Sequence, residues 1–473
     1  MASWMEPPTD EQRRILSAAV EQVVAHAARA EQLSMSPVLD AGELRRELGV
    51  LDPDTPLDPT DALDLTVRLL TGGIVHTTNP SYFGLFNPTP SFMGIVGDLL
   101  TAAFNPQLAV WSHAPAANEI EAWLVRYLAD RLGMSAPVAG SFTAGGAEAN
   151  AQALHLALTR AFPEFGDRGL RAVDADPVVY ASSECHHAWL KIAHVCGIGR
   201  NAVRLVPAGH DLRMDITTLA TMTEEDQRNG RRPVLVVATA GTTSAGVIDP
   251  LADAAALAAE RGAWCHIDAA WAGATCLSDT LRTYLAGIER ADSVTLDAHK
   301  WLSTPMGAGV FITTEAEALQ STYRIATSYM PTIIEDTVDP YTTSNQWSRR
   351  FIGLKLFLTL ITVGRSGYAA QIEQDTALAD RLRSRLAGRG WHIVNVTPFP
   401  VVCIADSAHR DDVEYHQRIV DNVVRTGMAW ISTTVLRSQP AIRICVMSHR
   451  TTERHTDRLI ELLEDARAGV RSR

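Results

Sequence analysis

Three side chains in this sequence stand where few structural roles explain them. Lys300 lies in Asp297-Ala298-His299-Lys300-Trp301, and the only other lysines are Lys191 and Lys355, against many arginines. A lysine amine becomes an effective imine former when its surroundings lower its pKa or hold a carbonyl partner in place. Asp268 ends the apolar run of Trp264-Cys265-His266-Ile267-Asp268 and is followed by Ala269-Ala270. A carboxylate buried at that point is costly unless it meets a cation, and the protonated nitrogen of a flat heterocycle is one. Ser183-Glu184-Cys185-His186-His187 ends another such run, and an imidazole there can stack on a flat ring.

Two further stretches suit the rest of such a ligand. Gly145-Gly146-Ala147-Glu148-Ala149-Asn150 opens a helical run, Ala151 to Ala161. Glycines at a helix start let backbone N–H groups approach a phosphate, and the helix dipole favours the negative charge. Ala238-Thr239-Ala240-Gly241-Thr242-Thr243 supplies hydroxyls at the end of a further run. Each stretch alone also has a plain reading: a helix entry, a capped aspartate, a surface lysine, a structural histidine, a hydroxyl-rich turn.

The elements that must position these residues form a recognisable alternation. Between Pro137 and Val310 short apolar runs alternate with helical stretches: Pro177 to Ala181, Ala202 to Val206, Pro233 to Ala238, Ala263 to Ile267, Ser293 to Leu296 and Gly309 to Thr313. That pattern predicts an α/β domain with a mainly parallel central sheet. Ligands of such sheets collect beyond the carboxyl ends of the strands, where the motifs above fall. Ahead of it, Asp10 to Leu48 reads as helical from Ile15, Ala19, Val23 and Ala27, and a Pro-rich stretch follows from Asp52 to Pro59. Behind it, a helix from Arg349 to about Gly388, strand-like runs at His392 to Val396, Val401 to Ile404 and Ala441 to Val446, and a helix Thr452 to Gly469 predict a small α+β domain. The expected organisation is an N-terminal helical segment (1–75), a large α/β domain (76–350) and a small C-terminal domain (351–473). Asn79 to Pro90 has the composition of a loop rich in aromatic residues, and such loops often line pockets.

Length and composition set the outer limits. The 473 residues exceed one ordinary core. A net charge of -12, from 42 basic and 54 acidic side chains with no dense Lys/Arg run, argues against a nucleic-acid partner. No signal peptide is visible in Met1 to Asp10, and no apolar run is long enough to cross a bilayer. Six scattered cysteines without a CxxC pair suit reduced thiols, so a cytoplasmic location is expected.

In the order glycine-rich loop, SExxH, ATxGTT, HxDAAxAG and HKWL, over Gly145 to Leu302, the chain resembles the group II decarboxylases that use pyridoxal 5'-phosphate (PLP). The resemblance implies fold type I, PLP as cofactor, decarboxylation of an aromatic or aliphatic L-amino acid, and a homodimer with the active site at the subunit interface. By position it implies Lys300 as the Schiff-base lysine and Asp268 as partner of the pyridine nitrogen. His187, which keeps a four-residue distance from Ser183, falls on the stacking histidine. Ala270 would touch the other ring face and Thr243 would lie near the ring. Gly145, Gly146, Ala147, Asp297 and His299 fall on the phosphate side, with two departures: Ala147 stands where many members have serine, and Asp297 replaces asparagine. Tyr341, in the polar loop Asp336 to Ser348, would protonate the substrate carbon. Tyr82, Phe83, Phe86, Thr89 and Trp111 are the candidate substrate contacts. The competing outcomes are decarboxylation-dependent oxidative deamination to an aldehyde, transamination on the same cofactor, or a silent binding protein on the same fold.

Overall fold

The structure is a computed structural model and describes residues 5–135, 137–325, 327 and 334–471. Its centre is a seven-stranded sheet of β1 (Ala139–Thr143), β2 (Pro177–Ser182), β3 (Val203–Val206), β4 (Arg232–Thr239), β5 (Trp264–Asp268), β6 (Ser293–Asp297) and β7 (Gly309–Thr313), in the order β1-β7-β6-β5-β4-β2-β3. β2 to β6 pair in parallel, whereas β7 runs antiparallel to both β1 and β6. The mainly parallel α/β expectation therefore holds, and all six apolar runs named between residues 177 and 313 are strands.

Burial explains why those strands were legible. In β4, Arg232-Pro-Val-Leu-Val-Val-Ala-Thr239, every residue after the first is buried, as a parallel strand covered by helices on both faces requires. The helix Leu251–Arg261 covers one face with Leu251, Ala254, Ala255, Leu257 and Ala258, then stops at Gly262 in the left-handed region (φ 67°), a common glycine helix end. β1, Ala-Gly-Ser-Phe-Thr, was not anticipated. Its small residues give no apolar run, and it pairs only at the edge, against β7.

A second, antiparallel sheet holds β8 (Trp391–Ile393), β9 (Val401–Asp406), β10 (Ser432–Leu436) and β11 (Gln439–Cys445), in the order β10-β11-β9-β8. The period-two geometry of β9 divides its side chains between two cores. Val401, Cys403 and Ala405 join the core of the large domain, and Val402 and Ile404 join a C-terminal core with Leu459, Leu462 and Leu463. The long helix Gly353–Ala387 bridges both cores and is broken at Gly364 (φ 73°). Leu356, Leu360, Tyr368 and Ile372 belong to the first core, and Leu378 onward to the second. The helix thus passes from one core to the other between Ile372 and Leu378.

The N-terminal segment forms helices Thr9–Arg29, Ala41–Gly49 and Pro59–Gly73. Among the described residues no helix is long and apolar enough to cross a membrane. All six cysteines are free thiols.

Candidate active site

Strand register brings the motifs together. Thr239 and Asp268 are paired last residues of β4 and β5, and Asp297 ends β6 one strand further along. A cavity opens there, walled by Gly146, Ala147, Asn150, His186, Thr239, Gly241, Thr243, Asp268, Ala270, Trp271, Asp297 and Lys300. Seven of the residues expected at a cofactor site thus share one cavity: Gly146, Ala147, Thr243, Asp268, Ala270, Asp297 and Lys300. A larger cavity of about 690 Å³, bordered by His210, Arg213, Tyr284 and Arg437, contains none of them.

Lys300 follows β6 in a tight turn, its N–H donating to the carbonyl of Asp297. Its Nζ lies 3.0 Å from Asp297 Oδ2, and the side chain is 24% exposed against 2% for Asp297. The departure at position 297 is thus explained in part: the carboxylate is engaged by the lysine amine. Its other oxygen, Oδ1, is buried without a hydrogen-bond partner among the described residues, and so is Thr239 Oγ1. Orphaned polar atoms on a cavity wall are costly, and a polar ligand would satisfy them.

Asp268 is buried, with Oδ2 accepting from Asn150 Nδ2 at 2.8 Å and Oδ1 from the Ala270 N–H at 3.2 Å. Each oxygen keeps a lone pair for a further donor. The helix Gly146–Ala161 points its start at the same place. A Cβ on Gly146 would lie 2.8 Å from Asp297 Oδ2 and 3.4 Å from the Ala270 methyl, so glycine permits this close approach. Glu148 fixes the loop by accepting from the Ala144 N–H at 2.7 Å and from Gln346 Nε2 at 2.6 Å. Gly145 and His299 stand beside the cavity: a Cβ on Gly145 would come 3.3 Å from His299 Cε1. His299 Nδ1 accepts from the Ala308 N–H at 3.1 Å, so its Nε2 carries the proton, and burial holds the ring below the usual histidine range.

The histidine on the wall is His186, whereas His187 was expected. Ser182, the last residue of β2, begins the turn by accepting the Cys185 N–H on its carbonyl and the Glu184 N–H on its hydroxyl. Counted from Ser182 the same four-residue spacing reaches His186, and this is the frame the fold uses. His186 Nδ1 accepts from the Ala188 N–H at 3.1 Å, which leaves Nε2 as the protonated nitrogen. His187 starts the helix Ala188–Val195 and is not among the wall residues.

The expected substrate contacts are not on the wall either. Phe83 is fully buried in the C-terminal core, and the Tyr82 ring packs on Trp430 with centroids 5.5 Å apart. Their segment hydrogen-bonds to Trp430 and Cys445, which ties it to the second sheet. Phe86 comes nearest, stacked at 4.6 Å on Trp271, a wall residue. Thr89 bonds to Thr78 and Ser448, and Trp111 Nε1 to Glu119. Tyr341 is buried in a short turn with its ring 5.0 Å from Trp347 and its N–H on the Ala109 carbonyl, so it too is off the wall. The wall residues not foreseen are His186, Asn150, Thr239, Gly241 and Trp271. All lie inside or next to the motifs, and their place at strand ends was the available signal. Gly241 adopts φ 93°, and its carbonyl accepts from Trp271 Nε1 at 2.7 Å.

The residues present fit PLP. An amine stands beside a carboxylate, a second carboxylate has spare acceptor capacity, a helix start is open to an anion, and two buried oxygens await partners. The profile of the pyridoxal-dependent decarboxylase conserved domain matches residues 43–405. Over 99% of this chain and 97% of the relative, the sequence is 27% identical to aromatic-L-amino-acid decarboxylase of Bacillus atrophaeus. L-2,4-diaminobutyrate decarboxylase of Rhizobium meliloti is 31% identical over 78% of this chain and 74% of its own. The crystal structure of Oryza sativa TDC with PLP and tryptamine superposes with a TM-score of 0.93 at 26% identity, covering 99% of both chains. The chain belongs to the pyridoxal-dependent decarboxylase family and is a carboxy-lyase that acts on an amino acid with PLP as its cofactor.

Proposed function

We propose that Lys300 anchors PLP covalently, that Asp268 pairs with its pyridine nitrogen, and that the enzyme releases carbon dioxide from an aromatic or aliphatic L-amino acid to leave the amine. The observation that carries this is the shared cavity of Lys300 and Asp268, each carboxylate and amine in hydrogen-bonded order. Bound PLP supplies the electron sink for the electrons left when the carboxylate departs. The chain's own groups do the rest. Asp297, 3.0 Å from Lys300 Nζ, stands within reach of the amine's proton. Asp268 holds a negative charge where the cofactor's ring nitrogen would lie. His186 lies on the wall to cover the ring, taking the role expected of His187, and Ala270 bounds the opposite side. Gly146, Ala147 and the adjoining His299 present donors to the phosphate.

Incubating the PLP-loaded enzyme with a panel of L-amino acids and measuring released carbon dioxide tests the reading. Release from aromatic or aliphatic substrates with an equal yield of amine is expected, and none from any amino acid overturns it. The alternative outcome on the same cofactor is decarboxylation-dependent formation of an aldehyde. Aldehyde and peroxide in excess over amine in the same assay would select it.

A homodimer in the cytoplasm completes the proposal. The helix Thr9–Arg29 buries none of its residues, and Leu16, Val20, Val23 and Val24 form an apolar stripe 43–56% exposed. An amphipathic stripe of that kind requires a covering surface. Sedimentation at twice the chain mass is the expected result.

A further inference from the structure

Behind Asp268 lies a chain of hydrogen bonds with one consistent direction. We infer that Asn150 and His266 are positioning residues that hold the Asp268 carboxylate ionised and rotationally fixed for the cofactor nitrogen, through donors that all point toward it. The inference rests on the proposed pairing of Asp268 with that nitrogen.

The direction follows from what each group can do. An ionised carboxylate only accepts, so Asn150 must turn its NH₂ to Asp268 Oδ2, at 2.8 Å. Its Oδ1 then faces His266 Nε2 at 3.0 Å, which makes Nε2 the protonated nitrogen. Nδ1 is left as an acceptor for the Ser293 hydroxyl at 2.8 Å. Ser293 Oγ in turn receives the indole N–H of Trp264 at 2.8 Å, and an indole can only donate. The chain therefore begins at a group that cannot reverse and ends at the carboxylate.

Burial keeps it so. His266 is fully buried in the middle strand of the sheet, where burial pushes its pKa down to about 4 and leaves it neutral at ordinary pH. Its ring is edge-on to Trp189 at 5.6 Å and nearly parallel to Phe311 at 6.4 Å, which flank it with apolar surface. Among the described residues Thr295 Oγ1, 3.3 Å from Nε2, is the one other polar side chain bonded to the ring. If Asp268 took up a proton and donated it to Asn150, the amide would have to flip and the His266 ring would have to move its proton from Nε2 to Nδ1. Protonation of the carboxyl therefore requires three buried groups to rearrange together, which favours the carboxylate.

The test compares purified holoenzymes of Asn150→Ala, His266→Phe, Ser293→Ala and Asp268→Ala by two readouts: PLP affinity, and the pH midpoint of the absorbance change of bound PLP. Asn150→Ala is expected to weaken PLP binding about 10- to 100-fold, the size of one hydrogen bond to a charged group. It should also move the midpoint by about one pH unit. His266→Phe should give a smaller shift and Ser293→Ala the smallest, with His266→Gln, which keeps a donor toward Asn150, recovering part of the loss. A structural role alone would lower melting temperature and leave the midpoint in place. Asn150→Ala or, should it not fold, His266→Phe, showing parental affinity and midpoint would overturn the inference. If Asp268→Ala also keeps both, the pairing of Asp268 itself fails; if only the relay variants keep them, that pairing stands and the relay does not.

Discussion

The cavity wall at the carboxyl ends of β4 to β6 and the aromatic segment Asn79–Pro90 are both dense in residues that invite a functional reading, yet only the first lines the cavity that holds Lys300 and Asp268. On the wall, polar groups are buried because neighbours satisfy them or because a ligand must: Asp268 has two donors, Lys300 has Asp297, and Thr239 Oγ1 and Asp297 Oδ1 have none among the described residues. In the segment, Tyr82 and Phe83 are buried by other apolar groups and the polar groups find partners within the protein: Phe83 with Trp430 and Cys445, Asn79 with the Leu33 carbonyl, and Thr89 with Thr78 and Ser448. Buried polarity without an internal reason marks chemistry; buried aromatic surface marks packing.

The largest expected effect tests the first half of that contrast. Lys300→Ala should abolish carbon dioxide release and the visible absorbance of bound PLP while the melting temperature of the cofactor-free protein stays near the parent's, since the side chain is partly exposed and joins no core. An active, coloured Lys300→Ala protein would break the comparison outright. Phe83→Ala, in the other region, should cost about 3–5 kcal/mol of stability in chemical denaturation, the usual range for an aromatic core deletion. Loss of substrate selectivity without loss of stability would instead return Phe83 to a substrate role.

A third measurement sharpens the rule that buried polar groups need a reason. Asp375, fully buried, accepts from Trp301 Nε1 at 2.9 Å and from Gln371, and burial pushes its pKa up to about 7. An acid whose pKa is higher folded than unfolded contributes most below its unfolded value, and the contribution is lost as pH rises through the folded one. Stability should therefore fall between about pH 4 and pH 7. Asp375→Asn, which keeps an acceptor for the indole, should be more stable than the parent at pH 8 by on the order of 2–4 kcal/mol, taking about 1.4 kcal/mol per pKa unit. The advantage should vanish toward pH 4; equal melting curves at both pH values would show that Trp301 and Gln371 already offset the burial.

Much of the wall was legible because a parallel strand buried on both faces reads as an apolar run, and the residue ending the run must face the sheet's carboxyl edge. Asp268 follows from that rule, and Asp297 and Thr239, which the rule alone did not single out, also end such runs. What the sequence could not convey was whatever depends on neighbours distant in the chain. β10, Ser-Thr-Thr-Val-Leu, is an edge strand only partly buried, so it carries no apolar signature. Asn150 reads as a helix residue until β5 places Asp268 and His266 beside it. Tyr341 reads as a loop tyrosine until Trp347 and Ala109 close over it.

The adjacent histidines show how fine that limit is, and they supply the smallest expected effect. Two frames satisfied the same spacing, from Ser182 to His186 and from Ser183 to His187, and only the turn closed by the Ser182 carbonyl and hydroxyl decides between them. His186→Ala should weaken PLP binding by about 3- to 10-fold, since an aromatic contact contributes roughly 0.5–1.5 kcal/mol. His187→Ala, at the helix start, should leave affinity within twofold of the parent, so fluorescence titration of the two variants separates the frames. The reverse ranking would mean that the turn shifts by one residue when the cofactor binds, and the contrast between a preformed wall and a packed segment would then apply to the strand ends but not to the turn after β2.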